Sequence, residues 1–134
     1  CPTRRRSPPG RAEMDRATIA AVIERFSAAW EAGDVETLMA LMAPECEFRA
    51  SLGPEPGRSY TGREAVQEAF EGFLAPNGGP AAVTESVPVL IGPDFAVTRW
   101  TVRVEGRITV RGCDVFEFDG ELIRCKDTYR KSAG

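Results

Sequence analysis

FAVTRWTVRVEGRITVRGCDVFEFDGELIRCKDTY, residues 95–129, is the stretch that decides the fold class. Apolar and polar residues alternate from Phe95 to Val104, the period of a strand with one covered face. Glu105-Gly106 turns this run into a second, Arg107 to Phe118. Asp119-Gly120 is a two-residue hairpin signal, and Leu122 to Tyr129 runs back. Three successive antiparallel strands are predicted here. A fourth precedes them over Val83 to Ile91, with Pro88 pointing to an edge strand or a bulge because proline cannot donate to a ladder.

Upstream the period changes from 2 to 3.6. Ile19, Val22, Ile23, Phe26 and Trp30 fall on one helix face, and Ala32-Gly33 ends that helix. Asp34 is placed to cap a second helix, whose buried stripe is Val35, Leu38, Met39 and Met42 and which stops at Pro44. Cys46 to Ala50 suggests a short strand. Thr61-Gly62-Arg63-Glu64 reads as a capping box opening a third helix, with Val66, Ala69, Phe70, Phe73 and Leu74 on its apolar face. The breaker Pro76-Asn77-Gly78-Gly79-Pro80 follows. Helices first and a meander of strands after them describe an α+β fold, one sheet face curled over the helices. Residues 14–134 are expected to form one domain. Residues 1–13, with Arg4, Arg5, Arg6 and Arg11, read as a flexible leader, a cloning remnant or an upstream extension.

Composition narrows the function classes. The 134 residues carry a net charge of −3, and the first 13 hold four arginines and one glutamate, so the body alone stands at −6. An acidic body argues against nucleic acid as a partner. No apolar run approaches the length of a membrane span, so no membrane partner is expected. Histidine is absent, and cysteines 1, 46, 113 and 125 show no Cys-x-x-Cys spacing. Zinc and Ser-His or Cys-His nucleophile pairs are thereby disfavoured, and a reducing, cytoplasmic setting is expected. No phosphate-binding glycine loop or dinucleotide fingerprint is present, so no cofactor is expected.

Three local sequences carry a family resemblance. They are Ala32-Gly33-Asp34, then Tyr60-Thr61-Gly62-Arg63-Glu64-Ala65-Val66, then Phe116-Glu117-Phe118-Asp119-Gly120-Glu121-Leu122-Ile123. Together with the element order they resemble the nuclear transport factor 2-like superfamily, with its SnoaL-like polyketide cyclases, ketosteroid isomerases and limonene-epoxide-hydrolase-like enzymes. The resemblance implies three N-terminal helices on a curved mixed or antiparallel sheet. It also implies a cone-shaped pocket for an apolar, polyketide- or steroid-like compound. The isomerase branch uses a first-helix tyrosine, an aspartate base after the first strand and a late-strand protonated aspartate. Those positions hold Phe26, Ala50 and Asp114 here, so only the late acid matches. The hydrolase-like branch uses an Arg-x-Asp pair and a final-strand aspartate. Arg99 and Asp127 match, while Thr101 stands where the pair's aspartate would be.

Strand arithmetic brings these positions together. Two-residue turns at Glu105-Gly106 and Asp119-Gly120 set Arg99 opposite Gly112, Gly112 opposite Asp127 and Asp114 opposite Cys125. Arg99, Asp114, Cys125 and Asp127 would then share one sheet face, with Gly112 leaving room for a ligand atom. The resemblance places that face in the pocket. Asp127 is expected as base or water activator, Asp114 as acid or hydrogen-bond donor, and Arg99 as the stabiliser of negative charge. The alternative is a satisfied ion pair under the sheet. Phe26, Trp30, Ala50, Thr101, Phe116, Cys125 and Tyr129 are the expected pocket lining. The opposite face, with Trp100, Val102 and Val104, is expected to need cover, supplied as in relatives by a homodimer. Two functions compete: a cofactor-independent isomerase, cyclase or hydrolase using carboxylate acid–base chemistry, and a non-catalytic binding or interaction protein.

Overall fold

The spacing that begins at Ile19 forms helix α1, Pro9–Ala32, in the computed structural model, which describes residues 9–75 and 82–131. Ile19, Val22, Ile23, Phe26 and Ala29 are its buried face. Gly33, at φ +69°, takes the left-handed conformation that ends the helix, and its amide donates to the Trp30 carbonyl at 3.1 Å. α1 thus reaches back past residue 13, where the leader was expected to end; residues 1–8 lie outside the described ones.

Asp34 caps helix α2, Val35–Ala40, as the sequence predicts: its Oδ1 accepts from the Thr37 amide at 3.2 Å and its Oδ2 from the Thr37 hydroxyl at 2.5 Å. α2 is shorter than predicted. It ends at Ala40, and Met42 opens strand β1, Met42–Arg49, where Pro44 is accommodated because the pairing register shifts between Met42 and Glu47. Strand β2, Ser59–Thr61, is too short to have been read from periodicity; it pairs antiparallel with β1 through Phe48 and Tyr60. That pairing removes Thr61 from the predicted capping box. Gly62, at φ +90°, becomes the N-cap of α3, Arg63–Leu74, with no side-chain bond. Arg63 turns back to donate to the Met42 and Met39 carbonyls at 2.9 and 3.0 Å.

The remaining strands are β3 (Ala82–Ile91), β4 (Phe95–Val104), β5 (Arg107–Asp119) and β6 (Leu122–Lys131). The six strands lie in the order β2-β1-β6-β5-β4-β3, parallel only between β1 and β6. β3 is an edge strand with a register shift between Pro88 and Leu90, in agreement with the proline argument. α1 packs against β3 and β4, and α3 against β1 and β2. Between helices and sheet lies an aromatic core: Phe26 and Phe116 have ring centroids 5.2 Å apart, Phe48 and Phe70 5.3 Å, Trp30 and Phe70 5.5 Å. Among the described residues no helix is long and apolar enough to cross a membrane.

The register departs from the simple hairpin arithmetic, and the departure reverses faces. Glu105-Gly106 does form the turn, with φ +53° and +78°, and Val104 pairs with Arg107. Thr109 is then inserted as a bulge: Arg103 pairs with Ile108 but Val102 with Val110. Arg99 consequently faces Cys113, and Trp100 faces Gly112. In the last hairpin Asp119 pairs with Leu122, one residue beyond expectation, and a second bulge at Arg124 follows. Asp114 therefore faces Thr128, and Asp127 faces Val115. A slip by an odd number of residues moves a strand's side chains to the other face. Arg99, Thr101, Cys125, Asp127 and Tyr129 lie on the outer, convex side, while Asp114 lies on the concave side with Trp100, Lys126 and Thr128. Of the face expected to carry Arg99, Asp114, Cys125 and Asp127, three residues stay together on the outer side and Asp114 alone turns into the cavity. Trp100 likewise leaves the face expected to dimerise; the outer face presents Val87, Leu90 and Tyr129 instead, each more than half exposed.

Candidate active site

A cavity of about 880 Å³ opens between the helices and the concave side of the sheet, within the range of small-molecule sites. α1 contributes Phe26 and Trp30, β1 Phe48, α3 Phe73 and Leu74, and the long hairpin Trp100, Val102, Val110 and Phe116. Three expected lining residues, Phe26, Trp30 and Phe116, are on this wall. Ala50 is buried but behind it, and Thr101, Cys125 and Tyr129 are on the outer face because of the two bulges. Gly112 does not leave room for a ligand. A Cβ there would lie 2.2 Å from Trp100 Cζ2, so the glycine is what lets the indole lie across β5.

Against this apolar wall stands one polar cluster, on β5 and β6. The Thr128 hydroxyl donates to Asp114 Oδ1 at 2.7 Å. Lys126 Nζ donates to Thr128 Oγ1 at 2.9 Å and approaches Asp114 Oδ1 at 3.4 Å. Both ionisable side chains are nearly out of solvent, Lys126 at 4% and Asp114 at 11% exposure. The ammonium also sits 4.6 Å from the ring centroids of both Trp30 and Phe48, the geometry of a cation held between π faces. Burial pushes the Lys126 proton affinity below its ordinary value, and the charge and hydrogen bond of Asp114 pull against that shift. Thr98, also buried, lines the cavity opposite Asp114 on β4.

The other predicted residues occupy a different setting. Asp127 accepts from the Tyr129 hydroxyl at 3.3 Å and lies 3.6 Å from Arg49 Nη1, and Arg49 in turn bonds Glu47. The neighbouring carboxylate of Asp127 raises the Tyr129 pKa. The predicted ion-pair alternative thus has a counterpart, but with Arg49 in place of Arg99, which is exposed. Cys125 is buried on the same side, its thiol pushed up to about 11 chiefly by desolvation. Among the described residues no group of three or more His, Cys, Asp or Glu is placed to hold a metal ion.

Lys126, Thr128, Thr98 and Trp100 were not singled out as site residues from sequence. One signal was available for Lys126. The chain has 17 basic residues and only two are lysines, Lys126 and Lys131. Arginine stays charged under all ordinary conditions, whereas a lysine can lose its proton when buried. The arrangement is chemically competent for proton transfer: a carboxylate, a hydroxyl and an amine in one chain of hydrogen bonds, in the wall of the cavity.

The comparisons with known proteins agree on the fold. No curated protein matches the chain in sequence. A solved nuclear transport factor 2-like protein of unknown function from Mesorhizobium loti shares 22% identity at a TM-score of 0.74, over 94% of this chain and 98% of that one. A candidate ketosteroid isomerase from Kribbella flavida shares 13% at 0.72, over 90% and 82%. A candidate polyketide cyclase from Sinorhizobium meliloti shares 18% at 0.64, over 81% and 94%. At such identities the likeness is one of fold. The SnoaL-like domain model matches residues 23–125, most of the described strands and helices, and with that match the chain belongs to the SnoaL-like domain family.

Proposed function

We propose that this chain is a cofactor-independent proton-transfer enzyme, an isomerase or cyclase, acting on an apolar carbonyl compound of polyketide or steroid type. The observation that carries this reading is that Asp114 and Lys126, joined through the Thr128 hydroxyl, line the cavity almost out of solvent, while its other ionisable lining residues, Glu31 and Arg130, are exposed. Asp114 Oδ1 takes both bonds of the set, and among the described residues Oδ2 has no hydrogen-bond partner. That oxygen is the proposed base for a proton next to a carbonyl. Lys126 is the proposed donor to the oxygen on which negative charge develops. The isomerase and cyclase names of the Kribbella and Sinorhizobium structures accord with such chemistry. A hydrolase of the Arg-x-Asp kind has less support, since Arg99 and Asp127 point away from the cavity.

The reaction can be tested without the natural substrate. β-Tetralone is apolar, bicyclic and enolisable, and its α-protons exchange slowly in D₂O. The full chain is expected to accelerate that exchange, followed by proton NMR, and Asp114→Asn to lower the acceleration by about 100-fold or more. Binding of the ketone with no acceleration would leave the second reading, a non-catalytic binder using the same cavity. A homodimer through the outer face is proposed alongside, on the strength of the exposed Val87, Leu90 and Tyr129. Sedimentation equilibrium at micromolar concentration should show a dimer that Val87→Glu with Leu90→Glu converts to monomer; a monomeric wild type would remove this proposal.

A further inference from the structure

We propose that Lys126 is a covalent capture site, whose amine condenses with an aldehyde or ketone held in the cavity to form an imine. The inference rests on the small-molecule reading of the cavity and adds a bond to it.

Four features of the structure bear on this. Lys126 lines the cavity, and its Nζ lies in the polar cluster rather than in bulk water. It is one of two lysines in a chain that otherwise uses arginine, and only lysine provides a nucleophilic amine. Trp30 and Phe48 flank the nitrogen, which keeps water from an imine once formed. Thr128 stands between Lys126 and Asp114 at 2.9 and 2.7 Å, so the ammonium can give its proton to the hydroxyl while the hydroxyl gives its own to the carboxylate. Two opposite charges buried together are replaced by a neutral amine and a carboxylic acid, which removes the cost of holding two ions out of water in return for the lost attraction. Burial lowers the proton affinity of Lys126 in the same direction.

The step balances within these groups. The amine lone pair forms the N–C bond, and the carbonyl π electrons move to oxygen, which takes the proton from Asp114. A second nitrogen proton passes along the same route to the hydroxyl of the carbinolamine. The C–O bond then breaks, water leaves, and the nitrogen lone pair closes the C=N bond. Water carries off two of the three ammonium protons. The third stays on the imine nitrogen, opposite the regenerated Asp114 carboxylate as counter-ion. No oxidant, reductant or metal enters.

The test uses β-naphthaldehyde with cyanoborohydride, which reduces only the imine, on the full chain at neutral pH, followed by peptide mapping. Lys131 and the chain's amino terminus serve as internal references, so the wild-type map decides without any variant. Labelling of Lys126 at least about tenfold above Lys131 is the expected result, with the adduct lost in Lys126→Arg and slowed in Asp114→Asn. Naphthalene binding is read separately, by quenching of Trp30 and Trp100 fluorescence. If naphthalene binds while Lys126 is labelled no more than Lys131, imine capture is overturned and the cavity reading stands. If neither occurs, both fall.

Discussion

Asp114→Leu alone should cost about 3–5 kcal/mol of stability, and the same change combined with Lys126→Met should return to within about 1 kcal/mol of the wild type. The single change removes the partner of an amine with 4% exposure and leaves it only Thr128 and two ring faces. Lys126 can reduce the loss by giving up its proton, so the measured cost should shrink at high pH. The double change replaces two polar side chains by apolar ones of similar volume against Phe116, Trp30 and Phe48, and removes the desolvation term altogether. Denaturant unfolding of the four chains in a double-mutant cycle reads the coupling. Independent, additive costs below about 1 kcal/mol each would mean that the two groups are not a buried pair in solution.

The same lysine sets a pH dependence whose sign follows from linkage. Its folded proton affinity lies below the ordinary value of 10.5, so between the folded and unfolded values the unfolded chain binds more protons. Stability contributed by this group therefore rises with pH between those two values and levels off above 10.5. Cys125 acts oppositely. Its thiol is raised from 9.0 to about 11, so its contribution is complete below 9 and lost as pH climbs through 11. Only the difference between wild type and Lys126→Met isolates the lysine, and that difference should slope in favour of the wild type as pH rises.

Phe48→Ala is expected to combine a large stability loss with a change in the site. Phe48 is buried at 2% exposure, with ring centroids 5.3 Å from Phe70, 5.5 Å from Phe73 and 5.8 Å from Tyr60. Truncating such a ring costs about 3–5 kcal/mol through lost burial and the cavity left behind. It also opens one side of the Lys126 ammonium to water, so the lysine should titrate closer to its ordinary value, which Nζ NMR would follow. Phe48→Leu should cost less than half as much and move the titration less. A stability loss with the Lys126 titration unmoved would show that burial by the β-strand neighbours, not by this ring, sets the lysine's environment.

Much of the architecture was legible from residues 15–131 alone. Apolar positions spaced three and four apart specify α1 and α3 because a helix buries one stripe, and Asp34 with Gly33 marks the junction between α1 and α2. Glu105-Gly106 marks its hairpin through Gly106, which takes φ +78° with no Cβ to clash, and Glu105 is drawn to +53° beside it. Pro88 specifies an edge, and the order of elements with the three quoted local sequences points to the SnoaL-like family. These are short-range signals, each decided within a few residues.

The site was not legible in this way, because it depends on parity along two long hairpins. One inserted residue at Thr109, a turn displaced to Gly120-Glu121 and a second insertion at Arg124 leave no mark in the apolar pattern. Yet they decide that Asp114 meets Thr128 and Lys126 instead of Arg99 and Asp127. What selects this register is tertiary: Phe116, Phe118 and Ile123 must all reach the core under α1 and α3, and only a bulge at Arg124 lets Ile123 and Lys126 face inward from one strand. The sequence by itself determined the longer helices, the last four strands and the family they build, while β2 and the first residues of β1 came only with the sheet that pairs them. The packing of the helices on the sheet determined which face of each strand is the inside, and with it which polar side chains meet in the cavity.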